Sequence, residues 1–149
     1  GLDADDVVLL GSPGAGVQNP TAESLGIDGD VYVGRNSRDL VGFLGGEGGY
    51  HGVGARLGFD PSSEDFDAVR FEAEDPSRGW HRDIDQHGHY FDADSESLYN
   101  IGRIVAGDGE AVNEAEQSYD PWWRAPVDPE ADRDPTSDVP GRSDTVGDD

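Results

Sequence analysis

Apolar residues in this chain come in short runs separated by acids, glycines and prolines, and their spacing predicts strands alternating with helices. In "DDVVLLGSPG", Val7 to Leu10 form a continuous apolar run between acids and a Gly/Pro turn. Such a run suits a strand buried on both faces, as in a parallel sheet. "NPTAESLGI" predicts a short helix starting near Thr21, and "DVYVGR", Asp30 to Arg35, a second strand. Strand, helix and strand in that order predict a βαβ unit with a right-handed crossover. From Ser37 to Ser63 glycine dominates, and "GFLGGEGGYHGVGARLG" predicts a long, lid-like loop. "DAVRFEAE", Asp67 to Glu74, alternates Val69, Phe71 and Ala73 with Arg70, Glu72 and Glu74. That is the pattern of a third strand with one polar face, near a sheet edge. In "DADSESLYNIGRIVAGDG", Asp94 or Ser95 caps a last helix, Leu98, Ile101, Ile104 and Val105 form its apolar stripe, and Gly107 ends it.

The periodicity stops near Gly109. The remainder, including "DPEADRDPTSDVPGRSDTVGDD", is rich in Pro and Asp and predicts a largely disordered acidic tail over 110–149. Within it "YDPWWRAP" offers Trp122 and Trp123, as a loosely tethered aromatic anchor or as a docking element. The expected fold class is α/β: a partial sheet of about three strands with two to three helices, over 1–109. So few helices can hardly cover both faces of a parallel sheet and protect its edges. The chain is therefore expected to be the C-terminal half of a larger domain, with a sheet edge or face left apolar and the N-terminal half as its partner.

Composition narrows the function classes. The net charge is −23, and all ten basic residues are Arg. Such a field repels nucleic acid and anionic membranes, so neither is an expected partner. An acidic surface of the halophilic kind and an acidic tail both account for it. Cys is absent, which excludes disulfides and thiolate metal sites. Met is absent too, so the numbering does not begin at a start codon, and Gly1 is expected to follow a cut or truncation. No apolar run approaches the roughly 20 residues of a membrane span, and no signal-peptide pattern opens the chain, which favours the cytoplasm.

The candidate chemistry lies in two loops. "VYVGRNSRDLVGFLG" puts Asp39 just after the second strand, where open α/β sheets carry their sites. "DQHGHYFDADSESLYN" puts His87 and His89 after the third. A carboxylate and an imidazole in successive loops suit a charge-stabilised base, and one large hydrolase class has the chain order Ser, Asp or Glu, His. Turn and surface roles are the plain alternatives.

The runs "VVLLGSPGAGV", "VYVGRNSRDLVG", "LGFDPSSEDFDAVRFEA" and "HGHYFDADSESLYNIGRIVAG" together resemble the C-terminal half of the alpha/beta-hydrolase superfamily. The likeness is greatest to an actinobacterial branch known as a domain of unknown function, and it spans roughly Asp5 to Gly107. Its most specific parts are "GSPG" and "H-x-x-Y-F-D" with "SL-x-N-x-x-R-I-V-x-G". The resemblance implies that Asp39 is the acid and His87 the base of a Ser-Asp-His triad. His89 falls at a variable position, and which histidine acts is left open. Asp67 stands where the resemblance expects Gly. The implied activity is hydrolysis of a small-molecule ester or amide, without a cofactor or metal.

No G-x-S-x-G nucleophile elbow is present. Ser12 in "LLGSPG" has Leu10 in place of the first Gly, and Pro13 lacks the N–H an oxyanion hole needs. The nucleophile is expected upstream of this chain, which alone should be inactive. Two rivals stand beside this reading. "HRDIDQHGH" spaces His81, Asp83, Asp85, His87 and His89 two apart, so in a strand they share one face and neighbours could share zinc or manganese. A non-catalytic acidic interaction protein, docking through the Gly-rich loop and Trp122/Trp123, is the other. "DADSE" only mimics a calcium loop and is better explained as a helix cap.

Overall fold

A computed structural model describes residues 4–16, 18–43, 57–77, 79–116, 128–133, 135 and 139. The architecture is α/β. Strands β1 (Asp6–Leu10), β2 (Asp30–Gly34) and β3 (Val69–Phe71) form a parallel sheet in the order β1-β2-β3. Val7 pairs with Val31 and Leu9 with Val33, while Tyr32 pairs with Val69 and Gly34 with Phe71. The helices are α1 (Leu40–Phe43) and α2 (Glu96–Val105). The helix predicted near Thr21 is a single 3-10 turn, Glu23–Leu25, closed by Gly26 in the left-handed region. Most of the Gly-rich loop, and Trp122 and Trp123, lie outside the described residues.

Period-two alternation sorts β2 between two cores. Tyr32 joins Phe71, Ala73, Tyr90, Ile104 and Val112 on one face. Val31 and Val33 join Ala22, Phe66 and Ala68 on the other. An uncovered face is therefore not what the sheet shows, because β2 is packed on both sides. What stays open among the described residues is the outer edge of β1, whose Val7 to Leu10 are only half-buried.

Two amphipathic assignments need correction. Arg70, Glu72 and Glu74 do not form a solvated face, since all three are buried. Along α2, Val105 is 80% exposed and Leu98 sits at the surface, while Glu96, Ser97, Asn100 and Ile104 turn inward. The reason lies in backbone hydrogen bonding past the end of β3, where among the described residues only a single bridge to Glu114 continues the ladder and buried groups still need partners. Glu74 N–H donates to Glu96 Oε2 (3.0 Å), and Asn100 Nδ2 donates to the Glu72 carbonyl (2.9 Å). A polar helix face supplies what a neighbouring strand would have supplied. Ser95 caps this helix, accepting from Leu98 N–H at 3.2 Å, and Gly107 takes φ +77° beyond its end.

Part of the segment assigned to the tail packs on the sheet. Glu72 N–H donates to the Asn113 carbonyl (2.8 Å) and Ala115 N–H to the Arg70 carbonyl (2.9 Å). Asp128 is buried between Arg35 and Arg70, with contacts of 2.8 Å to each. Arg133 grips both Glu96 oxygens, at 2.8 and 2.6 Å. Asp67 has φ +59°, the one positive φ at a non-Gly residue among those described. It closes the 3-10 turn Glu64–Phe66 in the left-handed region, so it adopts a backbone that suits the Gly expected there.

Candidate functional site

The site is built where β1 and β2 end. β2 runs out at Gly34, and Asn36 turns the chain, its Oδ1 accepting Arg38 N–H at 2.8 Å. Asp39 follows, 1% exposed, with Oδ1 accepting Val41 N–H at 2.8 Å. The loop is pinned to the segment before the histidines: Asp83 N–H donates to the Arg38 carbonyl (2.8 Å) and Leu40 N–H to the Asp83 carbonyl (3.2 Å). That bridge leads directly into a 3-10 helix, Asp85–Phe91.

His87 Nδ1 lies 2.8 Å from Asp39 Oδ2. With Nδ1–H donated to the carboxylate, Nε2 is the nitrogen available to exchange a proton. The His87 side chain is 41% exposed and that of Asp39 is sealed. A fixed anion thus backs an imidazole whose other side meets solvent. Tyr90 Oη donates to the same Asp39 oxygen at 2.7 Å and accepts Asn36 N–H at 3.1 Å. Burial raises the Tyr90 phenol well above its usual value, and the Asp39 charge adds to that, so it stays a proton donor. Asn36 Nδ2 also donates to Gln86 Oε1 (3.2 Å).

Gly11 closes the site from β1. It has φ +52°, and a Cβ there would lie 2.4 Å from Asp39 Oδ2 and 2.8 Å from both His87 Nδ1 and Tyr90 Cε2. Gly11 opens the GSPG run and Tyr90 belongs to H-x-x-Y-F-D, but sequence reasoning gave neither residue a role at the site. The signal for Tyr90 was present: in a 3-10 helix residues i and i+3 eclipse, which stacks Tyr90 on the His87 side. The two rings meet edge to face, 6.1 Å between centroids at 87°.

The other candidates fall apart from this cluster. Ser12 Oγ donates to the Gly14 carbonyl at 2.9 Å, as a turn-former. His89 Nδ1 faces the exposed Asp92 at 2.6 Å. The hydrogen bond to Asp92 raises the His89 pKa and outweighs the opposing effect of burial. Between the two histidines, it is His87 that meets the buried acid. The extended array imagined for a metal is not formed, because Asp85 to Phe91 wind into a helix while His81, Asp83 and Asp85 lie at the surface. Asp75, His89 and Asp92 bring one ligand atom each within 4.8 Å of one another. Within that group His89 and Asp92 are hydrogen-bonded to each other, and Asp75 Oδ1 accepts Ser77 N–H at 2.7 Å.

The chain is similar to two proteins of Mycobacterium tuberculosis, Uncharacterized protein MT2140 of strain CDC 1551 / Oshkosh and Uncharacterized protein Rv2079 of strain H37Rv. Each is 35% identical over 126 residues, covering 75% of this chain and 19% of the relative. The chain therefore spans about a fifth of the length of the curated relatives it matches. No family model matches the chain, and no solved structure matches it.

Proposed function

We propose that Asp39 and His87 are the acid and base of a Ser-Asp-His triad of the alpha/beta-hydrolase kind, acting on an ester or amide. The observation that carries this reading is the 2.8 Å contact between His87 Nδ1 and the sealed Asp39 carboxylate. It lies beyond the carboxyl ends of β1 and β2, where open α/β sheets place their chemistry. Asp39 holds the imidazole in the Nδ1–H tautomer and stabilises the imidazolium once it forms. His87 Nε2 takes the proton of a serine hydroxyl as that oxygen bonds to the substrate carbonyl carbon. The same proton then passes to the departing alcohol or amine. Water, deprotonated in turn by Nε2, releases the acid and restores the serine. The serine and the oxyanion-hole donors belong to a part of the domain N-terminal to these residues, which would dock along the open edge of β1.

Assay of the full-length protein on an activated ester tests this. His87→Ala removes nearly all turnover with the fold intact, Ser12→Ala leaves the rate within a few-fold, and a chelator leaves it unchanged. Chelator-sensitive activity would overturn the metal-free triad reading. A full-length protein lacking both a G-x-S-x-G segment and any ester or amide hydrolysis would favour an acidic interaction protein.

A further inference from the structure

We propose that Tyr90 is a positioning residue for the acid–base pair: its hydroxyl takes a fixed share of the Asp39 oxygen that His87 uses, and so sets both the direction and the basicity of that carboxylate. The inference rests on the acid–base reading of Asp39 and His87. Asp39 Oδ2 receives two groups, Tyr90 Oη at 2.7 Å and His87 Nδ1 at 2.8 Å. Oδ1 is held separately by Val41 N–H at 2.8 Å. With both oxygens held, the carboxylate cannot rotate away from the imidazole. The hydroxyl is itself fixed, since Asn36 N–H donates to it at 3.1 Å and commits its proton to Asp39.

The Tyr90 ring has no room to leave. Tyr90 is 4% exposed, and Gly11 lies against it, with space for no side chain atom between Asp39, His87 and Tyr90. A purely structural tyrosine would need only some acceptor for its hydroxyl. This one donates to the oxygen that the base uses, from the same helix as the base. A hydrogen bond to a carboxylate stabilises the charged form and weakens its hold on other protons. Without that bond, Asp39 grips the His87 proton harder, and the imidazole becomes slower to give its proton to a leaving group. Among the described residues, His87 meets Asp39 from the loop before α1 and Tyr90 from its own helix, and Arg35 after β2 acts on the Tyr90 phenol.

Two variants of the full-length protein test the inference with opposite expected signs. Tyr90→Phe keeps the ring and removes the donor. It should lower kcat about tenfold, the scale of one hydrogen bond to a charged group, with KM little changed. The acid limb of the kcat/KM profile should move to higher pH. Tyr90→3-fluorotyrosine keeps the hydroxyl as a stronger donor and should move that limb to lower pH. A folding defect cannot produce opposite shifts. The downfield proton resonance of His87 Nδ1–H gives a readout independent of turnover, and it should move in opposite directions in the two variants. If the full-length protein hydrolyses nothing yet that resonance responds this way, the positioning role stands and the hydrolase reading falls. A parent-like pH profile and parent-like resonance in Tyr90→Phe would overturn the positioning role, whatever the protein hydrolyses.

Discussion

Asp39 and Asp128 are both sealed carboxylates, 1% and 2% exposed, and the region around each shows what burial of charge accomplishes. Asp128 lies between two guanidiniums, Arg35 and Arg70, that keep their charge at any ordinary pH. Arg35 is held further by Asp60 at 2.5 Å. Burial opposes the Arg35 charge, but Asp60 and Asp128 outweigh it and raise its pKa. The side chains that meet Asp128 there are both guanidiniums, and both are buried. Asp39 instead meets one phenol, one backbone N–H and one imidazole that can lose its proton. That imidazole is also the group turned toward water. A charge fixed among fixed charges holds a fold together, whereas a charge fixed against a proton carrier can do acid–base work.

The comparison is broken most sharply by removing each charge in turn. In the full-length protein, Asp39→Asn should reduce ester hydrolysis about 10⁴-fold, the scale seen for a comparable change in serine proteases, equivalent to roughly 5 kcal/mol. Its urea midpoint should fall less than that of Asp128→Ala, because Asn keeps an acceptor for Val41 N–H and only the Tyr90 hydroxyl loses its own, at about 1–3 kcal/mol. A parent-like rate would remove Asp39 from the chemistry. Asp128→Ala should do the reverse. Loss of Asp128 takes the carboxylate from the buried Arg70 guanidinium and leaves Arg35 with Asp60, at a cost of about 3–5 kcal/mol read from urea unfolding. An unchanged midpoint would mean that the 128–133 segment does not hold the sheet.

Acid sharpens the same contrast. Burial pushes the Asp128 carboxyl up, but Arg70 and Arg35 outweigh it and hold it below its usual value. A folded pKa below the unfolded one gives stability that is complete above the unfolded value, about 3.9, and is lost as pH falls through the folded value. Urea midpoints measured from pH 7 down to pH 3 should therefore fall less steeply in Asp128→Asn than in the parent. An equal or steeper fall in the variant would show that Asp128 is not held low. The smallest effect belongs to neither region. Asp67→Gly relieves about 1–2 kcal/mol of left-handed strain and incurs about 0.5–1 kcal/mol of unfolded-state entropy, so it should stabilise by no more than about 1.5 kcal/mol. A loss of stability would show that the Asp67 side chain contributes more than its backbone costs.

The strands were legible because apolar runs bounded by turn residues depend on local pattern alone. Val7 to Leu10, Val31 to Val33 and Val69 to Phe71 fall where that pattern put them. The Ser95 cap and the Gly107 stop were legible for the same reason, since each acts within one turn of its own helix. Asp39 and His87 could be named as a pair from chain order and resemblance, but not brought together. Their 2.8 Å contact depends on the bridge from Arg38 and Leu40 to Asp83, which no local pattern encodes.

Hydrophobicity misled where polar groups are buried. Arg70, Glu72 and Glu74 read as a polar face, because pattern assigns a charged residue to water, and Glu96 and Asn100 lie outside the predicted apolar stripe, yet all five are buried. Whether such a residue finds a partner depends on residues far along the chain, as Arg70 finds Asp128 and Glu96 finds Arg133. The sequence by itself determined the α/β class, the strands, one helix with its cap, and the two residues to watch. Only the tertiary structure decided that His87 rather than His89 meets Asp39, that Gly11 and Tyr90 enclose them, and that an acidic stretch assigned to the tail packs beneath β3. Periodicity is set by neighbours one turn away, while pairing of buried charge is set by contacts across the whole fold.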